Sequence, residues 1–324
     1  MTDMVAAAAA RDGGAPGSAP LIEARGLTKR YDGFELQGVN LVVEPGQVVG
    51  FIGKNGAGKS TTIKALLGLI VRDGGTATVL GVDANELSRT AAARVKEQVG
   101  VVFDTIGLPD HMRLARVGAL MARAFTTWDA ATFRGYLRTF GLDEKKRVKE
   151  LSRGMGMKLS LACALAHHPR LLILDEATAG LDPMARDEVL DILRAFVDEE
   201  DANGNPVNGI FMSSHITSDL DKIADTIACI DEGRIVFEVA KDEVIDTMGI
   251  ARCRAADMEQ VLAWAAGAGA SPRVLRHEYG IDVLVSDRFA FRQALPGIPC
   301  DRMGIDDYMA LMLKGERVQG GDAR

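Results

Sequence analysis

Gly53-Lys54-Asn55-Gly56-Ala57-Gly58-Lys59-Ser60 is a complete G-x-x-x-x-G-K-[ST] loop. The run before it, Gln47-Val48-Val49-Gly50-Phe51-Ile52, is short and apolar and reads as a buried strand. The run after it, Thr61-Thr62-Ile63-Lys64-Ala65-Leu66-Leu67, reads as a helix. A loop between such a strand and such a helix aims successive backbone N–H groups at one point, and the positive helix end adds to the field there. Phosphate oxygens are the expected occupant. Gly53, Gly56 and Gly58 let the backbone bend and approach a ligand with no Cβ in the way. Lys59 is placed to reach the outer phosphates, and the Ser60 hydroxyl is placed to ligate magnesium. The candidate nucleotide contacts are therefore Gly53, Lys54, Asn55, Gly56, Ala57, Gly58, Lys59, Ser60 and Thr61.

A phosphate loop alone defines a nucleotide binder. Leu171-Leu172-Ile173-Leu174-Asp175-Glu176 adds chemistry to it. Four apolar residues predict a buried strand, and two carboxylates emerge at its C-terminal end, the edge at which parallel α/β sheets bind ligands. Asp175 is suited to hold magnesium, directly or through water. Glu176, one residue on, is suited to take a proton from an attacking water.

Outward from these two stretches the chain alternates strands and helices, which predicts an α/β fold. Strands are expected over 21–30, 36–43, 76–80, 99–103, 170–174, 210–213, 226–230 and 234–239, and a helix over 84–98. Residues from about 110 to 166 carry helical periodicity with no strong strand, and read as an inserted helical subdomain. Asp182-Pro183 is a helix start, Asp as N-cap and Pro in the first helical position, and that helix is expected to run to about Glu200. From about Gly249 the motifs stop. Residues 249–324 read as a small α+β appendage, with a strand over 278–285 and an amphipathic helix over 305–314. Met1 to Pro20, rich in Ala, Gly and Pro, reads as a disordered tail rather than a signal peptide.

Composition narrows the classes. A net charge of −7 disfavours a nucleic-acid surface. No apolar run approaches the ~20 residues that span a bilayer, so a membrane role must pass through a separate partner. The four cysteines are scattered without a C-x-x-C, which argues against zinc and disulfide frameworks and fits a reducing compartment. His167 and His168 are adjacent, so they face different sides and do not make a metal pair. Lys145, Lys146, Arg147 and Lys149 read as a solvated basic face.

With these elements in order, the chain resembles the nucleotide-binding subunit of an ABC transporter over about residues 21–248. Tyr31 matches the aromatic residue that stacks on adenine in that family. Leu151-Ser152-Arg153-Gly154-Met155 resembles the LSGGQ signature, and Ala179-Gly180-Leu181-Asp182 matches the D-loop, with Asp182 its key acid. His215 matches the switch histidine that contacts the terminal phosphate. The resemblance implies a P-loop NTPase core with a mixed sheet, and Mg-dependent hydrolysis of ATP with Glu176, His215 and Lys59 as catalytic residues. It also implies two composite sites in a head-to-tail dimer, in which Ser152 and Gly154 of one chain face the ATP of the other. The cofactors implied are ATP and Mg2+. The implied partners are a second ATPase subunit, either identical or a related paralogue, and a separate transmembrane permease. The permease would hold the chain peripherally at the cytoplasmic face of the cell membrane, and meet the helical subdomain and the region from Asp104 to His111.

The chain departs from the family pattern at several points. Asp104 stands where Gln is usual; an ionised acid there can ligate magnesium but cannot donate a hydrogen bond. Arg153 and Met155 replace the second Gly and the Gln of the signature, and Ala177 stands where Pro is common. Val101-Val102-Phe103-Asp104, the altered signature, His167-His168-Pro169 and the stretch Asp306 to Gly315 together resemble bacterial antibiotic-peptide or drug exporters. Two rivals stay open. One is a soluble ABC-type ATPase of DNA repair or translation, although this chain has no long coiled-coil insertion, zinc cysteines or second cassette. The other is a regulatory module that binds ATP without turning it over, which Asp104 and Arg153 keep in view.

Overall fold

The computed structural model describes residues 19–87, 92–267 and 272–318. Nearly all of the expected N-terminal tail lies outside them. In chain order the elements are β1 (Ile22–Tyr31), β2 (Phe34–Val43), β3 (Val48–Ile52), α1 (Lys59–Leu66), β4 (Gly74–Val79), β5 (Val82–Asp83), α2 (Ala93–Lys96) and β6 (Val99–Val102). Then come α3 (Leu114–Ala124), α4 (Ala130–Thr139), α5 (Arg153–Leu165), β7 (Leu171–Asp175), α6 (Pro183–Val197), β8 (Gly209–Ser213), α7 (Thr217–Ile223), β9 (Thr226–Asp231) and β10 (Arg234–Ala240). The last part holds β11 (Gly249–Cys253), α8 (Met258–Gly267), β12 (Arg273–Arg276), β13 (Ile281–Val285), α9 (Arg288–Ala294), β14 (Cys300–Arg302), α10 (Ile305–Lys314) and β15 (Glu316–Arg317).

The central sheet runs β10-β9-β3-β8-β7-β6. It is mixed: β9, β3, β8, β7 and β6 are parallel, and β10 adds an antiparallel edge. Every residue of β3, β7 and β8 is buried, which is why these strands read as unbroken apolar runs rather than alternating ones. A four-stranded antiparallel sheet, β2-β1-β4-β5, covers one face, with Leu27, Leu36, Val39 and Phe51 in the shared core. The other face is covered by α5, α6 and α7, through Leu159, Ala162, Leu190, Leu193 and Leu220.

Two helices differ from their expected extent. The stretch 84–98 is not one helix: its described residues include a 3-10 turn over Ala84–Glu86 and the one-turn α2, with 88–91 outside the description. Asp83 caps that turn by accepting from the Asn85 N–H, a local bond that competes with a longer helix. Helix α6 stops at Val197 rather than Glu200. Shortly beyond it, Asp201 Oδ1 accepts from the backbone N–H groups of Asn203 and Asn205 and turns the chain back.

Within 110–166 the structure has helices α3, α4 and α5 and a 3-10 turn over Val148–Glu150. The charge-rich run before α5 is pinned by its backbone: the N–H groups of Leu114 and Ala115, orphaned at the start of α3, donate to the carbonyls of Lys146 and Glu144 at 3.0 Å each. His167 and His168 do part company. His168 is exposed, whereas His167 is buried and stacked on Phe125, with ring centroids 4.1 Å apart. Its Nδ1 faces the Cys163 carbonyl at 3.2 Å and its Nε2 the Val99 carbonyl at 3.4 Å. Burial pushes its pKa below the ordinary histidine value, so the folded state holds the ring neutral. The unfolded chain protonates it near the usual ~6.5. The stabilisation is therefore full above that value and is lost as pH falls through it toward the lower folded value. We expect the melting temperature of the wild-type chain to drop more steeply between about pH 7.5 and 5.5 than that of His167→Phe, measured by scanning fluorimetry. Parallel profiles would remove His167 from this role.

All four cysteines are buried and unpaired, and burial pushes the thiols of Cys163 and Cys229 up to about 12. The last part of the chain forms a five-stranded antiparallel sheet, β14-β11-β13-β12-β15, with its own core of Val261, Val274, Val283 and Phe291. Helix α10 leaves that core. Its Ile305, Tyr308 and Leu311 join the core beside the central sheet, where Tyr308 meets Phe237 edge-on at 4.8 Å. Arg273 holds the far end of α10 by donating to the carbonyls of Met312 and Gly315.

Candidate functional site

The phosphate loop leaves β3 and enters α1, and Gly58, at φ 119°, makes that turn. Only glycine takes this backbone angle without strain, and a Cβ here would stand 2.8 Å from Leu36 and 3.0 Å from the Phe34 ring. Lys59 opens α1 and is 7% exposed. Its ammonium donates to the carbonyls of Gly53 at 2.7 Å and Lys54 at 3.3 Å, and stands 3.9 Å from Glu176 Oε1. The cation is thus drawn back over its own loop.

Asp175 ends β7, and both of its oxygens are engaged. Ser60 donates to Oδ2 at 2.9 Å and Ser213 donates to Oδ1 at 2.6 Å. The second bond follows from the parallel register, which sets Asp175 opposite Ser213 on β8. Sequence reading missed Ser213; the signal available was a hydroxyl at the end of an apolar strand, two residues before His215.

Glu176 turns out of the strand at φ 57°, in the left-handed region. For a residue with a side chain this costs about 1–3 kcal/mol, and such conformations gather at functional sites. The turn is held because the Glu176 N–H donates to the Ser213 carbonyl at 3.1 Å and the Glu176 carbonyl accepts from Ala179. The carboxylate then reaches both sides of the cleft: Oε1 toward Lys59, and Oε2 in a short contact with His215 Nδ1. The His215 N–H also donates to Oε2 at 3.3 Å. The His215 ring is 56% exposed, so its other edge is open to a ligand. Lys59, Ser60, Asp175, Glu176, Ser213 and His215 thus form one connected cluster, drawn from three separate segments of the chain.

Other candidates stand apart from that cluster, with no hydrogen bond or ion pair linking them to it among the described residues. Tyr31 sits at the tip of the β1–β2 hairpin, 47% exposed, with the Lys29 ammonium 5.5 Å from its ring. Its hairpin neighbour Phe34 lies against Gly58, so the tip borders the phosphate loop. Asp104 follows β6, facing an open depression of about 470 Å3 shared with Ile106, Arg153 and Met157. Ser152 caps α5 by accepting from the Met155 N–H at 3.3 Å, and Asp182 caps α6 by accepting from the Ala185 N–H at 3.0 Å. These two helix starts touch each other: a Cβ on Gly154 would come 2.9 Å from the Gly180 carbonyl, and Arg153 lies over Gly180. We therefore expect Gly154→Ala to push the signature turn off the D-loop and lower ATP turnover at least tenfold, with little change in melting temperature because the site is at the surface. A steady-state ATPase assay checks this; full activity would show that the neighbouring loop yields freely.

One neighbour of the site was not legible at all. A cavity of about 290 Å3 lies between Gly53, Lys54, Ser214 and His215 on one side and Met309 and Leu313 of α10 on the other. The expected α+β appendage therefore reaches the 53–60 loop and His215.

The family model described as "ABC transporter" matches residues 36–179. The daunorubicin/doxorubicin resistance ATP-binding protein DrrA of Streptomyces peucetius is 36% identical over 233 residues, 70% of this chain and 68% of that protein. The bacitracin transport ATP-binding protein BcrA of Enterococcus faecalis is 33% identical over 227 residues, 69% of this chain and 70% of that protein. A solved ATP-binding subunit of an ABC transporter superposes with a TM-score of 0.60 at 28% identity, over 69% of this chain and 91% of that one. With identity at that level across two thirds of each relative, this chain belongs to the ATP-binding family of ABC transporters, and it is an ATPase.

Proposed function

We propose that the chain is the ATP-hydrolysing subunit of an exporter-type ABC transporter, working as one of a pair with a separate permease. The observation that carries this is the convergence of Lys59, Ser60, Asp175, Glu176 and His215 at the C-terminal edge of the central sheet. The exporter direction is supported by the names of relatives, which include drug resistance, bacitracin transport and Nod factor export proteins. No helix among the described residues is long and apolar enough to cross a membrane. The permease is placed on another chain, with this one held peripherally at the cytoplasmic face, in keeping with relatives named as ATP-binding proteins of transport systems.

Residues 21–248 act as the ATPase domain, with 110–166 as its helical subdomain and 249–324 as an accessory domain. Tyr31 stacks on adenine, and the loop from Gly53 to Thr61 cradles the phosphates. Lys59 exchanges its bonds to the loop carbonyls for the outer phosphates. Ser60 and Asp175 present a hydroxyl and a carboxylate 2.9 Å apart, a hard oxygen pair that fits magnesium, which binds proteins through few ligands and keeps waters and phosphate for the rest. Asp104 assists them. When bound, the magnesium ion neutralises charge developing on the phosphate oxygens. Glu176 accepts the proton of the attacking water, and His215, released from Glu176, holds the γ-phosphate in register. Ser152, Gly154 and Asp182 serve the ATP of the paired subunit, either a second copy or a paralogue. Hydrolysis removes the contact that favours the closed pair.

The test is capture of the full chain from membranes of its own cell, in mild detergent, with identification of what comes with it. A stoichiometric partner with about six long apolar segments, and ATPase activity that rises when it is present, is the expected result. Strong hydrolysis by the chain alone with no membrane partner would overturn the transport reading.

A further inference from the structure

Asp219 and Arg186 are charged, buried or half-buried, and unused by the reading above. Asp219 lies in the first turn of α7 and is 1% exposed. Arg186 lies in the first turns of α6, with its Nε 3.6 Å from Asp219 Oδ1. That is an ion pair, but too long for a direct hydrogen bond. Arg186 Nε and Asp219 Oδ2 are both buried, and neither makes a hydrogen bond among the described residues. A buried carboxylate held by a loose pair is costly, so this geometry is poor as a staple.

The same two helices are joined by Lys222 to Asp187 at 2.5 Å and by the Arg194 guanidinium donating to the Lys222 carbonyl. What Arg186 adds is a link between loops. Its Nη2 donates to the Leu181 carbonyl in the D-loop at 3.4 Å. On the other side, the Asp219 N–H donates to the Ile216 carbonyl at 3.2 Å, one residue past His215, and Ile216 is held in turn by Ser214 Oγ. His215 is the residue in short contact with Glu176. At the opposite end the D-loop is packed by the signature, through Arg153 and Gly154 on Gly180. An unbroken set of contacts therefore runs from the signature, by way of Leu181, Arg186 and Asp219, to His215 and Glu176. A movement of under 1 Å would convert the 3.6 Å pair into a tight charge-assisted hydrogen bond near ~2.8 Å, so the pair has two arrangements within reach.

We infer that Arg186 and Asp219 are positioning residues that set His215 against Glu176 according to the placement of the loop from Ala179 to Asp182. This rests on the reading of Glu176 and His215 as the hydrolytic pair. Neither Arg186 nor Asp219 touches substrate; they act through the 214–217 turn.

The experiment is steady-state ATP hydrolysis by the full chain, comparing wild type with Asp219→Asn, Arg186→Gln, the double variant and the control Lys222→Gln. Each single variant should lower kcat about tenfold while KM for ATP stays within about twofold. The double variant should be no slower than the slower single one, because both break the same link. Lys222→Gln should match wild type. A purely structural pair would lower the melting temperature and leave kcat unchanged in the folded protein, and that result overturns the inference, as does a loss confined to KM. If Asp219→Asn does not fold, Arg186→Lys carries the same test: it keeps the charge but not the fork that spans Leu181 and Asp219, so kcat should still fall. A wild-type chain that binds ATP but never turns it over would instead count against the reading of the site itself.

Discussion

Glu176→Gln should lose ATP turnover by about 10²–10⁴-fold, the usual contribution of a positioned general base, while still binding ATP. The substitution keeps the size of the side chain and one carbonyl oxygen, so an acceptor remains toward Lys59 or toward His215 but not toward both, because an NH2 replaces the other oxygen. What it removes is the ability to hold a proton taken from water. Because hydrolysis is what would release the paired state, the variant should accumulate as an ATP-dependent dimer. Size-exclusion chromatography with and without MgATP reads this directly, beside a phosphate-release assay. Unchanged turnover would strip Glu176 of its role. Lost turnover without a dimer would point away from composite sites and toward a chain that works alone.

Lys59→Ala should act earlier, on binding. Hydrogen bonds to charged groups contribute about 1.5–3 kcal/mol, so ATP affinity should fall about 10–150-fold, measured with a fluorescent ATP analogue. Turnover at saturating ATP should fall further, since the cation also meets charge that grows during phosphoryl transfer. The loop itself should survive. Its shape comes mainly from β3, from Gly58 and from the packing of Ile63 and Leu66 in the core, and the variant loses from it only the bonds that Lys59 donates to the Gly53 and Lys54 carbonyls. A far-UV spectrum and melting temperature close to wild type are therefore part of the prediction. Together the two variants separate the tasks: one chain that binds and cannot cleave, and one that fails to bind. A common loss of binding in both would mean that Glu176 shapes the pocket rather than the reaction.

Much of the candidate site was legible because its local geometry is written locally. The phosphate loop needs glycines at set offsets between a strand and a helix. Asp182 with Pro183 is a capping signal that depends on the next three residues, and it caps the helix expected of it. Buried parallel strands announce themselves as apolar runs, so β3, β7 and β8 lay close to their expected places. The failures have the same root. The stretch 84–98 carries helical periodicity, but the Asp83 cap and the docking of Ala84 and Leu87 in the core hold it to short turns. A tertiary demand overrode a local preference.

From its sequence alone this chain determined its family, its phosphate loop and the acidic strand end, because each depends on residue types at short, rigid spacings. Only the tertiary structure decided that Ser213 shares Asp175 with Ser60, since that bond exists through the register of β7 on β8. It alone placed α10 beside Lys54 and His215, and Arg186 beside Asp219. Side chains brought together by sheet register and helix packing lie tens to hundreds of residues apart, and no periodicity along the chain records which of them will meet.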